Sequence, residues 1–184
     1  MESEAGMTGW RPGGRRADTA SMLRVDQAGE YGATRIYAGQ LAVLRANCPE
    51  AKLISRMAAQ EKRHLERFNA LMGQRQVRPT ALEPLWNVAG VALGVATALM
   101  SEKAALACTD AIETEIDRHY ARQLDELGDD DPELAADIAA FRADELEHRD
   151  SARQAGATKA AGYPLLTAAI RAGCKAAIAL SKRI

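Results

Sequence analysis

The chain is predicted to be all-α: a four-helix bundle made of two similar hairpins, with two further apolar helices attached. Three observations predict this. Apolar residues make up 47% of the sequence and aromatics only 4%, and the aliphatic share is dominated by Ala and Leu, good helix formers, with few β-branched runs. Breakers fall at intervals that cut the chain into stretches of helical length. A segment of the first half also recurs in the second. At 184 residues, a single domain with a sizeable core is the natural size.

Residues 1–20 are Gly- and Arg-rich and contain no apolar run, so they read as a mobile tail rather than a secretory signal, with the domain occupying 21–184. Glu2 and Glu4 count against an organellar transit peptide. A first helix is predicted over 21–46, ending at Asn47-Cys48-Pro49, where Pro49 suits the first turn of a second helix. That helix runs to about Met72 and ends at Gly73. Pro79 and Pro84 mark a connection. From Leu85 to Leu127 there is no strong breaker, but one helix of that length would span about 65 Å at 1.5 Å per residue, far longer than its neighbours. It is therefore split near Ser101 into an apolar helix (85–100) and a bundle helix (102–127) stopped by Gly128. Asp131-Pro132 offers an N-cap and a first-turn proline for a helix reaching about Ala155. Gly156 and Gly162 bracket a loop, and a last helix covers 164–182.

Residues 28–44 (AGEYGATRIYAGQLAVL) laid over 111–127 (AIETEIDRHYARQLDEL) agree at eight positions, among them Glu30/Glu113, Arg35/Arg118, Tyr37/Tyr120 and Gln40/Gln123. A shift of one more residue places Glu61 on Glu145 and His64 on His148. The halves read as two copies of one helical hairpin.

The chemistry is carried by these repeated positions. Two of the three histidines stand three residues after a glutamate, in Glu61-Lys-Arg-His64 and Glu145-Leu-Glu-His148. On a helix such pairs share a face, so each presents a carboxylate and an imidazole to one point. Counted from the two turns, Glu30, Glu113 and both pairs lie at similar heights, about 20–25 Å along their helices. Packing the hairpins together gathers four carboxylates and two imidazoles at mid-bundle. One Glu from each of two helices and Glu-x-x-His from each of the others is the ligand plan of ferritin-like di-iron and di-manganese proteins. Four carboxylates balance two divalent irons, and hard oxygen and imidazole donors suit iron. Without a metal, the gathered acids would repel one another or take up protons.

Around this set stand further candidates. Tyr120 and Tyr37, two turns after Glu113 and Glu30, are either core tyrosines with satisfied hydroxyls or groups that support the site, touch substrate or serve an electron route. His119 stands beside Tyr120. Asp26 and Asp110, one turn before Glu30 and Glu113, are candidates to orient the ligand histidines.

Residues 85–100 are an uncharged run of sixteen, below the roughly 20 needed to span a bilayer. The last helix sets Arg171, Lys175 and Lys182 on one side of an apolar surface. Together they suit a protein lying in a membrane interface and acting on a lipid-soluble substrate; the alternative is that both helices cover the bundle or meet another subunit. The net charge of −1 gives no case for nucleic acid. Cys48, Cys108 and Cys174 are too few and too dispersed for a disulfide framework or a thiolate metal site, and fit a reducing compartment.

The strings RVDQAGEYGATRIYAGQ (24–40), EKRHLERFN (61–69), GVATALMSEKAALACTDAIETEIDRHY (94–120), FRADELEHRD (141–150) and IRAGCKAAIALSKRI (170–184) resemble the demethoxyubiquinone hydroxylase family, from residue 23 to the end of the chain. The resemblance implies a membrane-bound di-iron monooxygenase of ubiquinone biosynthesis that inserts one oxygen atom from O2 into the ring of a polyprenylated demethoxyquinol. It places the six metal ligands on Glu30, Glu61, His64, Glu113, Glu145 and His148, leaving Glu115 outside the set. It maps the family's His-Tyr pair, with a part in electron supply, onto His119 and Tyr120. It also implies a lipid-binding accessory protein, association with other quinone-synthesis enzymes and a place on the cytoplasmic face of a bacterial inner membrane, with a homo-oligomer left open. A ferritin-like ferroxidase or peroxide scavenger is the alternative, and a metal-free helical adaptor a third.

Overall fold

The computed structural model describes residues 17–183, and every regular element among them is helical. The helices are α1 (Thr19–Val43), α2 (Pro49–Arg75), α3 (Glu83–Met100), α4 (Glu102–Leu127), α5 (Pro132–Gln154) and α6 (Tyr163–Ser181), with one 3₁₀ turn at Ala157–Lys159. Most of the predicted tail, residues 1–16, lies outside the described residues.

Side-chain caps explain where several helices start. Asp18 accepts from the Ser21 amide at 3.1 Å, so α1 takes in Thr19 and Ala20, which the sequence reading left in the tail. The Cys48 sulfur, the Ser101 hydroxyl and the Asp131 carboxylate do the same for Ala51, Ala104 and Leu134. Ser101 thus both closes α3 and opens α4, at the predicted split. Two ends differ from prediction. Helix α1 stops at Val43, three residues early, because Leu44 is already extended. Helix α2 runs through Gly73 to Arg75: the Arg75 guanidinium is tied to Asp131, the N-cap of α5, and to Glu133 in its first turn, and Gln76 closes the helix in the left-handed conformation at φ 55°.

Hairpins α1–α2 and α4–α5 form the bundle, and α3 and α6 lie outside it. Helix α3 runs parallel to α1, since Gly90 meets Gly32 and Arg35 while Gly94, one turn on, meets Ile36 and Gln40. A Cβ at Gly90 would lie 2.8 Å from the Arg35 Cβ, and one at Gly94 would fall on the Ile36 carbonyl oxygen, so these glycines let two helix backbones touch. Helix α6 runs parallel to α4, with Tyr163 bonded to Asp110 and Arg171 to Glu115. Its far end reaches the starts of α3 and α1, where the Trp86 indole donates to Ser181 at 3.0 Å and the Ser21 hydroxyl to the Lys182 carbonyl at 3.3 Å. Each hairpin therefore carries its own third helix back along its first. The duplication read over two helices extends to three.

The interior divides into two apolar clusters. One, with Ile36, Leu44, Ile54, Met57 and Leu106, sits towards the α1–α2 turn. The other, with Leu23, Phe68, Leu71, Leu127, Leu134 and Ile138, sits towards the α4–α5 turn. Each fully buried Leu, Ile or Phe contributes about 1.5–3 kcal/mol, which holds the bundle closed around a polar layer between the two clusters.

Candidate metal centre

The polar layer consists of the six predicted residues. Helix α1 supplies Glu30, α4 supplies Glu113, α2 supplies Glu61 and His64, and α5 supplies Glu145 and His148. None is more than 2% exposed. Glu30, Glu61, His64 and Glu145 each turn one donor atom into a group spanning no more than 4.8 Å, and Glu61, Glu113, Glu145 and His148 do likewise. Glu61 and Glu145 belong to both groups, so each carboxylate stands where it can serve two cations. The His64 Nδ1 is 3.5 Å from Glu30 and 3.2 Å from Glu145; the His148 Nδ1 is 3.0 Å from Glu61 and 3.3 Å from Glu145.

These residues fit a pair of metal ions on chemical grounds. Eight of their buried donor atoms have no hydrogen-bond partner: Nδ1 of both histidines, both oxygens of Glu61 and Glu145, and Oε2 of Glu30 and Glu113. A buried unpaired carboxylate costs several kcal/mol, so this layer requires cations or protons. With protons alone, burial and then the neighbouring acids push Glu61 and Glu113 well above the usual carboxylate range, and burial raises Glu145. Burial acts on Glu30 in the same sense, but the proximity of His64 and Glu61 brings it below the ordinary value. The equivalent imidazoles diverge: burial lowers both, yet Glu145 and Glu30 lift His64 to about 10, while His148 stays lowered, in part by the charge on His64.

A supporting layer repeats with the same two-fold pattern. The Tyr37 hydroxyl donates to Glu113 at 2.5 Å, and that of Tyr120 donates to Glu30, each reaching across to the other hairpin. The outer Nε2 of His64 faces the Asp144 carboxylate at 2.9 Å, and that of His148 faces the Gln60 oxygen at 3.1 Å, which leaves both Nδ1 atoms pointing inward. Phe141 stacks on the His64 ring with centroids 4.1 Å apart. Gln60 and Asp144 escaped the sequence reading, although the repeat could have found them, since each stands immediately before a candidate ligand glutamate. Asp26 and Asp110 do not orient the ligand histidines. Asp26 pairs with His119 at 3.1 Å, and Asp110 accepts from Arg153 at 2.9 Å and from Tyr163, because α6 and the end of α5 lie nearer to it than any ligand imidazole. His119 is held outside the six, its ring 6.1 Å from that of Tyr120.

An apolar cleft of about 540 Å³ opens between α1, α3, α4 and α6. Ala33, Ile36, Trp86, Ile112, Ile116 and Ile170 are among its walls. Gly29 and Ile112, which also line it, directly precede Glu30 and Glu113, so its floor is formed by the helices that carry those two carboxylates.

The model of the ubiquinone biosynthesis protein COQ7 family matches residues 17–181, which takes in all six candidate ligands and both outer helices. The chain belongs to the COQ7 family. Within and around the family it is similar to a 3-demethoxyubiquinol 3-hydroxylase of Rhodospirillum rubrum, 55% identical over 162 residues covering 88% of this chain and 76% of the relative. A human protein named NADPH-dependent 3-demethoxyubiquinone 3-hydroxylase, mitochondrial, is 49% identical over 173 residues, 92% of this chain and 79% of its own length. A Saccharomyces cerevisiae 5-demethoxyubiquinone hydroxylase, mitochondrial, is 40% identical over 179 residues, with 89% and 77% covered. The COQ7-family match agrees with the resemblance read from the motifs.

Proposed function

We propose that this protein hydroxylates the ring of a polyprenylated demethoxyubiquinol in ubiquinone biosynthesis, with O2 as oxidant and two iron ions held by Glu30, Glu61, His64, Glu113, Glu145 and His148. The observation that carries the reading is the pair of buried donor groups sharing Glu61 and Glu145, in a chain of this family. Iron bound there would supply the redox chemistry that O2 requires; inserting one oxygen atom into the ring and releasing the other as water also consumes two electrons and two protons, which an external reductant must deliver in each turnover.

The chain's own residues do the rest. Tyr37 and Tyr120 hold one oxygen of Glu113 and one of Glu30, leaving the other oxygen of each free to coordinate. Asp144 and Gln60 fix the imidazole orientation. The apolar walls of the cleft favour a prenyl tail over water and bring a flat ring towards the carboxylate-bearing helices. His119, paired with Asp26 and 15% exposed at its side chain, sits between solvent and Tyr120, where a part in electron or proton supply would belong.

The outer faces of α3 and α6 support a membrane surface as the workplace, since Leu85, Val88, Leu99, Met100, Leu165 and Leu180 are all exposed. The two helices contain apolar windows of mean hydropathy 1.2, of which only 22% and 11% is buried against protein. They lie flat along the bundle beside the cations of α6, which suits a monotopic seat on the cytoplasmic face of a bacterial inner membrane. A storage ferroxidase needs neither the apolar cleft nor these faces. Deleting the gene, or replacing it with the Glu113→Gln variant, and profiling quinones by mass spectrometry tests the reading. Build-up of the demethoxy precursor is expected, and unchanged quinone pools would refute the assignment.

A further inference from the structure

Glu115 is not one of the six ligands, yet it is as buried as they are, at 1% exposure. Two residues beyond Glu113, it stands about 200° round the helix from that ligand and faces α6 instead of the metal layer. Its Oε1 accepts from the Arg171 Nε at 2.6 Å and from the Arg118 guanidinium at 2.9 Å, and its Oε2 lies 3.9 Å from the Lys175 ammonium. Arg171 and Lys175 belong to α6, a helix with no acidic residue of its own.

Helix α6 has few other polar attachments. Tyr163 bonds to Asp110 at one end, and Ser181 and the Lys182 carbonyl bond to Trp86 and Ser21 at the other. Between those ends, among the described residues, Glu115 makes the polar contact from α4, to Arg171 and Lys175. This middle stretch is also the part of α6 that walls the cleft, through Leu166, Ile170, Gly173, Cys174 and Ala177.

The internal repeat shows what Glu115 replaces. Laying 28–44 over 111–127 puts Glu115 on Gly32. In the first half the third helix, α3, packs at this level backbone to backbone, so that a Cβ on Gly90 would be 3.1 Å from the Gly32 carbonyl oxygen. In the second half, a carboxylate and an arginine stand between α4 and α6. A glycine contact lets helices close up, whereas a Glu–Arg pair holds them apart by the length of two side chains. Helix α3 thus meets α1 through backbone at Gly90 and Gly94, whereas α6 meets α4 here through side chains, and a Cβ at Gly173, on the cleft wall of α6, would find nothing within 4 Å.

We propose that Glu115, acting through Arg171, is a positioning residue for the cleft: it holds α6 at the distance that keeps the cleft open to substrate. This rests on reading the cleft as the quinol site. Neither Glu115 nor Arg171 is among the residues lining the cleft or among the six candidate ligands, and a buried ion pair adds little net stability over a neutral replacement. Its effect belongs in substrate binding, not in the chemical step.

Trp86 lines the cleft and provides the readout, because quinones quench indole fluorescence. The chain has one other tryptophan, Trp10, so a Trp10→Phe background makes Trp86 the sole emitter. Metal-free protein in detergent is titrated with a demethoxyubiquinone bearing a decyl side chain, for the parent, Glu115→Gln, Arg171→Gln, Arg171→Lys and the Glu115→Gln/Arg171→Gln double variant. Saturable quenching is expected for the parent, with the dissociation constant raised about tenfold in each glutamine variant. The double variant should be no weaker than either single one, since both break the same contact. Arg171→Lys, which keeps the charge, should recover part of the loss. In the iron-loaded enzyme KM should rise while kcat stays within about twofold. Arg171 is partly exposed, so Arg171→Gln reports even if Glu115→Gln does not fold. Equal dissociation constants in parent and variants would overturn the positioning role. Absence of saturable quenching in the parent would overturn the cleft reading beneath it.

Discussion

The glycines of α1 and α3 give a prediction in which two similar substitutions act in opposite directions. A methyl group added at Gly94 meets backbone only: the Gln40 nitrogen and the Ile36 carbonyl carbon at 2.9 Å, with the Ile36 oxygen closer still. No rotamer change can relieve this, so α1 and α3 must part. Overpacking of that kind costs about 1–3 kcal/mol, and replacing a helical glycine returns about 0.5–1 kcal/mol. Gly94→Ala should therefore lower stability by about 1–2 kcal/mol and the melting temperature by about 2–8 °C, at about 2–4 °C per kcal/mol for a chain of this size. At Gly32 the added Cβ meets nothing within 4 Å. Gly32→Ala should thus gain the helical term alone and raise the melting temperature by about 1–4 °C. Circular-dichroism melts of both variants in one detergent decide the matter. If the two substitutions shift the midpoint in the same direction by similar amounts, the close approach of α1 and α3 is not as described.

Further expectations concern the metal layer and the outer faces. Glu61, Glu113 and Glu145 keep protons in the metal-free protein that they lose on unfolding, and His64 keeps its proton up to about 10. The folded state then binds more protons than the unfolded one, so metal-free stability should fall as pH rises from about 5 to about 9, against smaller opposing contributions from Glu30 and His148. Thermal melts of metal-free protein across that range check this, and a rising midpoint would contradict it. Asp144→Ala and Gln60→Ala each free a ligand imidazole to turn, and each should weaken metal binding about 10–100-fold in a chelator competition; unchanged affinity would remove their orienting role. Leu99→Ser combined with Leu165→Ser removes two side chains that are 70% and 78% exposed, and each leucine is worth about 1.5–3 kcal/mol in an apolar phase, so co-sedimentation with lipid vesicles should drop at least about tenfold. Undiminished co-sedimentation would argue against a membrane seat on these faces.

What could be read from the sequence depended on how local each signal is. Helix α4 was placed to the residue because Ser101 caps it and Gly128 ends it, both short-range features. The six candidate ligands were legible because spacing along a helix, distance from a turn and an internal repeat all converge on them. Gly73 misled because the end of α2 is set by Arg75 gripping α5, a contact no local pattern reveals. Asp26 and Asp110 sat on the expected faces, but the partner of a carboxylate depends on which neighbouring helix lies within hydrogen-bond reach. Asp26 found His119, and Asp110 found Arg153 and Tyr163. The glycine seam of α3 and the role of Glu115 required knowing that each outer helix runs parallel to the first helix of its own hairpin.

The proposed chemistry rests on two cations sharing the carboxylates of Glu61 and Glu145. The most direct test is an anomalous difference map recorded at the iron edge from crystals of iron-loaded protein. Two peaks per chain are expected, one beside Glu30 and His64 and one beside Glu113 and His148. A single peak, or iron bound outside the six residues, would contradict the shared centre.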